Sequence, residues 1–195
     1  MADANEFAIN EAGTSKKLTG TLIKAWTGNM LSNQSVADQS PGAGATTYLT
    51  NSNIAVPVGK LRAGTQFRWT LCFSKTAAGT APSSHLIKVG TAGTTADATI
   101  VTLTGGTPSG AVDAGYEVIT FTIRTIGAAA TSNGNSMRTH NLSTTGLFGN
   151  ESEVSNAAGT TFDSTVANLI VGLALTAGAS EARTYQQILV EAFNL

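Results

Sequence analysis

The most regular hydrophobic pattern of this chain lies between residues 65 and 76. Phe67, Trp69, Leu71 and Phe73 occupy alternate positions, with polar or small residues between them. Because a strand directs successive side chains to opposite faces, this alternation predicts a strand with one apolar and one polar face. No other segment concentrates as much large apolar volume, so we expect this strand at the centre of a β-sandwich core.

Alternation of the same kind recurs along the chain and predicts further strands. No segment shows a convincing amphipathic helical pattern. The last segment, residues 183–193, has some helix propensity, but its β-branched centre, its alternation and the lack of a helix start signal favour a strand. The other predicted strands are residues 18–26, 46–58, 85–90, 99–104, 116–126, 136–143, 161–165 and 168–176.

The segments between these strands carry turn and loop signals. The dipeptide Asn133-Gly134 supplies the positive φ angles of a tight hairpin turn, so we expect the chain to reverse there. Residues 33–46 and 145–160 are rich in Gly, Asn, Ser or Pro and are predicted to be loops. Residues 1–17 are mostly polar and predict an N-terminal arm that is disordered alone or lies extended on a neighbouring molecule.

Together these patterns predict an all-β protein, a jelly-roll-like antiparallel β-sandwich of about eight strands. With 195 residues, the chain has the length of one domain with a full core, which we place at residues 18–195 after the arm. An immunoglobulin-type sandwich is the alternative, although it usually needs about half this length. The absence of a repeat of about 20 to 50 residues argues against propellers and solenoids.

The chain is poor in charge. Charged residues make up 12% of the sequence and the net charge is -1, against roughly 25% charged residues in ordinary soluble domains. This argues against a nucleic-acid partner and against a polybasic membrane anchor. Little charge repulsion would oppose association between copies, which favours an assembly subunit. The N-terminus lacks the features of a signal peptide, and no apolar run approaches about 20 residues, so we expect a protein made in the cytosol.

Few residues suggest catalysis. Cys72 is the single cysteine and lies on the polar side of the central strand, where a small contact residue is the simpler interpretation. His85 and His140 are far apart and distant from carboxylates in sequence, so we expect packed or surface histidines rather than metal ligands. No serine lies in a Gly-x-Ser-x-Gly motif. We assign no catalytic, cofactor-binding or metal-ligating residue, and we expect neither a cofactor nor enzymatic activity.

The acidic residues fit surface and turn positions. Glu151 and Glu153 are close together, but their Gly- and Asn-rich surroundings indicate a solvated loop rather than the carboxylate pair of a glycosidase. A Ca²⁺ ion held by loop oxygens remains an alternative, without the Asp-x-Asp-x-Asp spacing that would support it. The aspartates expected to cap or bend turns are Asp97, Asp113 and Asp163.

Seven segments carry a likeness to known proteins: 48–57, 63–71, 75–81, 123–129, 139–142, 166–172 and 186–192. They resemble a group of tailed-bacteriophage virion proteins. The resemblance covers most of residues 46–195 and is a likeness of pattern, without a catalytic motif. It implies a structural part of the particle, such as a capsid decoration or cement protein, a head fibre or a tail-fibre module, many of which are jelly rolls that assemble as trimers.

Two hypotheses follow from this resemblance. The first is a capsid decoration or cement protein of the virion, assembled in the host cytoplasm, with copies of itself in a homotrimer and the major capsid protein or other virion proteins as partners. In that case the polar side of the central strand is expected to be covered by a neighbour. The alternative is a tail- or head-fibre module that binds a host receptor or glycan. Aromatic residues that would stack on a sugar are Trp26, Tyr48 and Tyr116.

Overall fold

The computed structural model of the protein describes residues 7–11, 14–18, 30–76, 79–142, 145–148 and 152–195, with side chains from residue 30 onward. In these ranges the regular secondary structure consists of strands. They are β1 Phe7–Glu11, β2 Thr14–Leu18, β3 Leu31–Ser35, β4 Thr46–Tyr48, β5 Ile54–Ala55, β6 Gln66–Lys75, β7 Ser84–Gly90, β8 Ala98–Thr104, β9 Asp113–Ile123, β10 Ser132–His140, β11 Ser152–Ala158, β12 Ile170–Thr176 and β13 Arg183–Phe193.

Strands β3 to β13 form two antiparallel sheets through nested pairings. β3 pairs with β13, β4 and β5 with β12, β6 with β9, and β7 with β8. The large sheet has the order β11-β10-β9-β6-β13-β3, and the small sheet has the order β4-β12-β7-β8. This nesting is that of a hairpin rolled into two facing layers, as in a jelly roll. The predicted jelly-roll-like β-sandwich is therefore confirmed.

The strands outnumber the predicted eight for two reasons. β4 and β5 are short strands that share β12 as a partner, and β10 and β11 extend the large sheet beyond β9. β1 and β2 pair only with each other, so the described part of the predicted arm is a hairpin. The strand predicted at residues 18–26 shares only Leu18 with β2. The rest of that prediction falls in residues 19–29, which lie outside the described part of the chain.

The central strand predicted from the alternation is β6, which lies between β9 and β13 in the large sheet. Phe67, Trp69 and Leu71 are fully buried and Phe73 is 2% exposed, so the apolar face is the core face. The Trp69 indole N–H donates to the carbonyl of Ser52 over 2.6 Å, which satisfies the only polar group of that side chain.

The core is a single cluster to which both sheets contribute. At about 25 cal/mol per Å² of buried apolar area, such a layer is the main source of stability for the fold. From the large sheet it contains Phe67, Trp69, Leu71, Phe73, Ile119, Phe121, Ile123, Tyr185, Ile188, Val190 and Ala192, and from the small sheet Ile54, Ile87, Val89, Ile100, Val101, Leu103, Val171, Leu173 and Leu175.

The hairpin turn predicted at Asn133-Gly134 is wrong. Both residues lie inside β10, and the chain reverses earlier, across residues 124–131, where Gly127 has a φ of 122°. Gly134 serves the packing of the two sheets instead. A Cβ atom there would come within 2.7 Å of Val101 Cγ1 on β8, so the position has no room for a larger side chain.

Three local predictions fail at weakly patterned segments. β11 lies in the predicted loop 145–160, and β3 overlaps the predicted loop 33–46. Residues 161–165 form no strand beyond a single bridge between Ala130 and Phe162. β3 and β11 are the two edge strands of the large sheet. Their mixed polar sequences form strands because their backbones hydrogen-bond to β13 and β10 respectively.

Candidate functional site

A row of polar side chains crosses the interior between the two sheets. The Arg138 Nε atom of β10 lies 2.7 Å from Glu117 Oε1 of β9. His85 Nδ1 of β7 lies 3.2 Å from Glu117 Oε2, and His85 Nε2 lies 2.8 Å from the Tyr185 hydroxyl of β13. His85, Glu117 and Tyr185 have no exposed surface, and Arg138 is 3% exposed. We call these four residues the buried polar row.

Burial and ion pairing shift the pKa of Glu117 in this row in opposite directions. Burial alone would raise the pKa of Glu117, but His85 and Arg138 lower it to about 2, so the carboxylate is ionised. Burial lowers the pKa of His85, which favours the neutral imidazole. A neutral His85 donates its Nδ1–H to Glu117 and accepts from the Tyr185 hydroxyl, whose pKa is raised by burial.

The sequence of hydroxyl, imidazole and carboxylate resembles the order of groups in a catalytic triad. A nucleophile must also be reachable by its substrate, and the Tyr185 hydroxyl is enclosed in the core together with His85 and Glu117. We therefore interpret the row as a structural element. Its side chains form hydrogen bonds and ion pairs that connect β7, β9, β10 and β13.

Further charges extend this polar region toward one end of the sandwich. Glu153, predicted to be a solvated loop residue, lies on β11 and contacts Arg138 Nη1 at 3.3 Å and the N–H of Gly106 at 2.9 Å. Its neighbour Glu151 lies outside the described residues. Arg183 Nη2 bonds Glu181 Oε1 at 2.6 Å, and both residues are at least 95% buried.

His140 is the second buried histidine. Its Nδ1 atom bonds Asp113 Oδ2, and the same carboxylate oxygen accepts the N–H of Leu147 at 3.0 Å. Burial opposes ionisation of Asp113, but the bonds from Leu147, His140 and Ala114 lower its pKa below the usual value. Both histidines are thus packed inside the protein, each against a carboxylate remote in sequence. The part of the chain that the structure describes contains no group of three His, Cys, Asp or Glu residues suited to a metal ion.

The other two aspartates assigned to turns hold turns. Asp97 accepts the main-chain N–H groups of Ala92, Gly93 and Thr94 at 3.0, 2.7 and 3.3 Å. Asp163 accepts the N–H and the hydroxyl of Thr165 at 2.8 and 2.6 Å. Both carboxylates therefore stabilise the conformation of a turn by accepting hydrogen bonds from it.

The sequence contains a signal for the buried charges that motif spacing does not reveal. Glu117 has the same parity in β9 as Ile119 and Phe121, and His85 has the same parity in β7 as Ile87. A charged or ionisable residue at an apolar position of the alternation is either buried on the core face or marks the end of the buried part of the strand. What the parity cannot provide is the partner, because Arg138 and Glu153 come from other strands.

The solvent-facing side of the large sheet, here called the outer face, carries an apolar row. Strand register places Val154, Met137, Val118, Thr70 and Leu189 side by side across β11, β10, β9, β6 and β13. Val154 is 66% exposed and Met137 is 53% exposed. Four of the five side chains are apolar, which is unusual for a row of neighbouring residues facing water.

Charge is nearly absent from the described part of the outer face. Its two charged side chains, Arg68 and Glu191, bond each other at 2.7 Å, and Arg68 also stacks over Phe193 at 5.0 Å. Cys72 is a free, half-buried thiol on this face, and Tyr116 is 43% exposed. The polar parity of β6 therefore belongs to a surface that has no net charge from its strands and is partly apolar.

The remaining aromatic candidates are placed differently. Trp26 lies outside the described residues. Tyr48 is half-buried at the other sheet, and burial raises its pKa to about 12. It lines an open groove beside the small sheet, whereas Tyr116 lines a shallow depression at the end of β9. The structure thus does not bring these two tyrosines together.

Models of protein families give no match to this chain, and no curated protein matches it. Among the residues described, none belongs to a helix long and apolar enough to cross a membrane.

Proposed function

We propose that the chain is a non-enzymatic structural subunit of a bacteriophage particle, a capsid decoration or cement protein that stabilises the shell through subunit contacts. The particle is inferred from the resemblance of segments between residues 46 and 195 to virion proteins. The observation that carries the structural role is the neutral outer face with its apolar row. On this proposal the protein is part of the virion, assembled in the host cytoplasm.

The outer face has the size and chemistry of a subunit contact. Six strands of 5 to 11 residues, spaced about 4.8 Å apart, give a face on the order of 800 Å². Stable protein interfaces bury about 800 Å² on each partner. Their centres are depleted in charge, as this face is, so little desolvation of charged groups would oppose contact.

A cement protein acts by binding the assembled shell and not its free subunits. Such binding stabilises the shell by mass action, and many modest contacts add up over a lattice. We propose copies of this chain in a homotrimer, together with the major capsid protein or other virion proteins, as the partners of the outer face. The nearly uncharged surface suits close packing of identical copies, because little repulsion opposes it.

The test is decoration of purified shells that lack the protein. The double variant Met137→Glu, Val154→Glu puts two charges into the apolar row, so we expect it to fold normally but to decorate poorly. Thr102→Glu adds one charge to an exposed strand position of the small sheet and is the control for a charge placed away from the outer face. Occupancy and the temperature at which the shell opens are measured for each protein. Full decoration by the double variant would contradict the proposal for this face.

Deletion of residues 1–17 tests the arm separately. We expect the truncated chain to keep the sandwich, measured by circular dichroism, and to lose capsid binding. Decoration at full occupancy by the truncated protein would exclude a role of the arm while leaving the outer face in place as the contact.

The second candidate is a tail- or head-fibre module that binds a host receptor or glycan. The observation in its favour is the groove lined by Tyr48, which lies on the small sheet and so is separate from the outer face. Localisation of the protein in intact particles distinguishes the two candidates. A position on the shell supports the cement protein, and a position on the tail supports the fibre module.

A further inference from the structure

An open groove of about 580 Å³ runs along the small sheet. One wall is the segment 46–53, which contains β4 and the turn after it, and the other is the turn 93–95. Binding sites for small molecules commonly measure about 300 to 1,000 Å³. Its polar and aromatic lining side chains include Thr47, Tyr48, Asn51, Asn53, Thr94 and Thr95.

The wall at residues 93–95 is held from behind by two buried charges. The Asp97 carboxylate accepts the N–H groups of Gly93 and Thr94. Lys88 Nζ donates to the carbonyls of Thr95 and Asp97 at 3.1 and 2.9 Å. Because the main chain of this turn is bonded at successive positions, its exposed threonines are presented in a defined geometry.

The wall at residues 46–53 is held as firmly. Gln39 forms two bonds with the main chain of Thr50, at 2.7 and 3.0 Å. The Ser52 hydroxyl donates to the Leu173 carbonyl at 2.9 Å, and Asn33 Nδ2 donates to the Asn53 carbonyl at 3.0 Å. A binding site whose walls are already ordered loses less conformational entropy when a ligand binds.

Two glycines set the shape of the groove. A Cβ atom on Gly172 would lie 1.8 Å from the Tyr48 hydroxyl oxygen, so only glycine lets the tyrosine lie along the sheet. A Cβ atom on Gly93 would lie 3.2 Å from Asn53 Nδ2, so the amide closely approaches the opposite wall. The aromatic ring and the amide are thereby positioned in one groove.

The lining identifies the chemical class of the ligand. Hydroxyls and amides are both donors and acceptors, the lining has no charged side chain, and Tyr48 adds an aromatic surface. An anionic ligand would find no Lys or Arg partner in this lining, and an apolar ligand would leave the threonine and asparagine groups unbonded. We propose that this groove binds a neutral carbohydrate, with Tyr48 against a sugar face and Asn51, Asn53 and the threonines bonded to its hydroxyls. This proposal rests on the second candidate function and names its ligand class, and it is independent of whether the protein decorates a capsid.

The test is titration of the ¹⁵N-labelled full chain with neutral trisaccharides of glucose, galactose and N-acetylglucosamine, followed by amide chemical shifts. We expect at least one of them to shift amides of residues 47–53 and 93–95 with saturation, and an equal concentration of glycerol to leave them unmoved. A trisaccharide that carries a sialic acid in place of a neutral residue should bind at least tenfold more weakly. Failure of all three neutral sugars, or shifts confined to other residues, would overturn the proposal.

Variants assign the binding to the groove. Tyr48→Ala should weaken binding of the responding sugar at least tenfold, whereas Tyr116→Ala removes an exposed aromatic of the large sheet and should leave it unchanged. Thr95→Glu lies on an exposed turn and covers the case in which Tyr48→Ala fails to fold, because it should weaken binding while the rest of the amide spectrum stays the same. Unchanged affinity in Thr95→Glu and in a folded Tyr48→Ala would contradict the assignment, and neither variant alters the face on which capsid decoration depends.

Discussion

β6 passes from an apolar end of the core to an ionic end within ten residues. At the apolar end, Phe67 packs against Trp69 and Phe121 with ring centroids 6.3 and 6.2 Å apart. At the ionic end, Lys75 is fully buried and donates to main-chain carbonyls, including that of Ala111 at 3.3 Å. The ionic end also includes the buried polar row, which begins at Glu117, opposite Leu71 in the strand register. β6 thus borders an interior that is filled by apolar side chains on one part and by paired charges on the other.

The two ends differ in how their residues depend on one another. An apolar side chain contributes mainly the area that it buries and the space that it fills, so its loss is felt locally. A buried charge is stable only with its partners, because an unpaired ion in the core costs several kcal/mol. Glu117 therefore requires Arg138 and His85, whereas Trp69 requires chiefly that its volume be filled.

The largest effect is expected at the apolar end. Trp69→Ala should lower the free energy of unfolding by ~3 to 5 kcal/mol, because it leaves a cavity and also removes the bond to the Ser52 carbonyl. Urea unfolding monitored by circular dichroism measures the change. A loss under about 1 kcal/mol would show that this face is not the core.

At the ionic end, Glu117→Gln tests the dependence on partners. The variant keeps the shape but removes the charge that faces Arg138, and we expect a loss of ~3 kcal/mol. Glu191→Gln breaks the exposed pair with Arg68 and is the matched control, with an expected loss of about 0 to 1 kcal/mol. Equal losses in the two variants would mean that burial does not distinguish the two pairs.

Acid should weaken the ionic end selectively. The pKa of Glu117 is about 2 in the folded chain, against 4.5 for an unperturbed glutamate, so the unfolded chain binds the proton first and stability falls as the pH drops from about 4.5 toward 2. His85, with a lowered pKa, adds a loss that begins below its unperturbed pKa of 6.5, because the unfolded imidazole takes up the proton first. The loss from Glu117 amounts to about 3 kcal/mol once it is complete.

Unfolding midpoints measured between pH 7 and pH 3 check this prediction. The lower part of the acid loss should be reduced in Glu117→Gln and retained in Trp69→Ala, although Asp113, whose pKa is also lowered, contributes to it. An acid profile of Glu117→Gln identical to that of the unaltered chain would show that Glu117 is not ionised in the core.

A smaller effect is expected where the two sheets touch. Gly134→Ala places a methyl group against Val101 and should cost ~1 to 3 kcal/mol through overpacking. Gly42→Ala is the control, because its Cβ atom would meet only Ala45 at 3.8 Å. Thermal unfolding of both variants measures the difference in their stability. Equal stability would mean that the two sheets can move apart at Gly134 enough to accommodate a methyl group.

The smallest effect is expected on the outer face. Arg68→Ala removes an exposed ion pair and a cation–π contact, and the free energy of unfolding should change by less than about 1 kcal/mol. If the outer face is a subunit contact, the same variant can alter assembly without altering the fold. Sedimentation together with urea unfolding separates the two outcomes, and a loss comparable to that of Trp69→Ala would place Arg68 in the core network.

The sequence by itself determined the strands whose two faces differ strongly. Alternation in residues 65–76, 168–176 and 183–193 predicted β6, β12 and β13, because a period of two is a local property of an extended chain. It also determined the all-β class and the weakly charged surface. These strands predict a jelly-roll-like sandwich without any information on strand pairing.

Only the tertiary structure decided which strands are neighbours and what the polar residues do. β11 has no apolar alternation and becomes a strand through its pairing with β10. Gly134 resembles a turn residue in sequence, yet it is required by contact with Val101 on the other sheet. Glu117 contacts Arg138 and His85, and Tyr48 packs against Gly172. These residues are far apart in sequence, so no local pattern predicts the contacts. Period-two alternation specifies the face of a strand, whereas the partner on that face depends on long-range pairing.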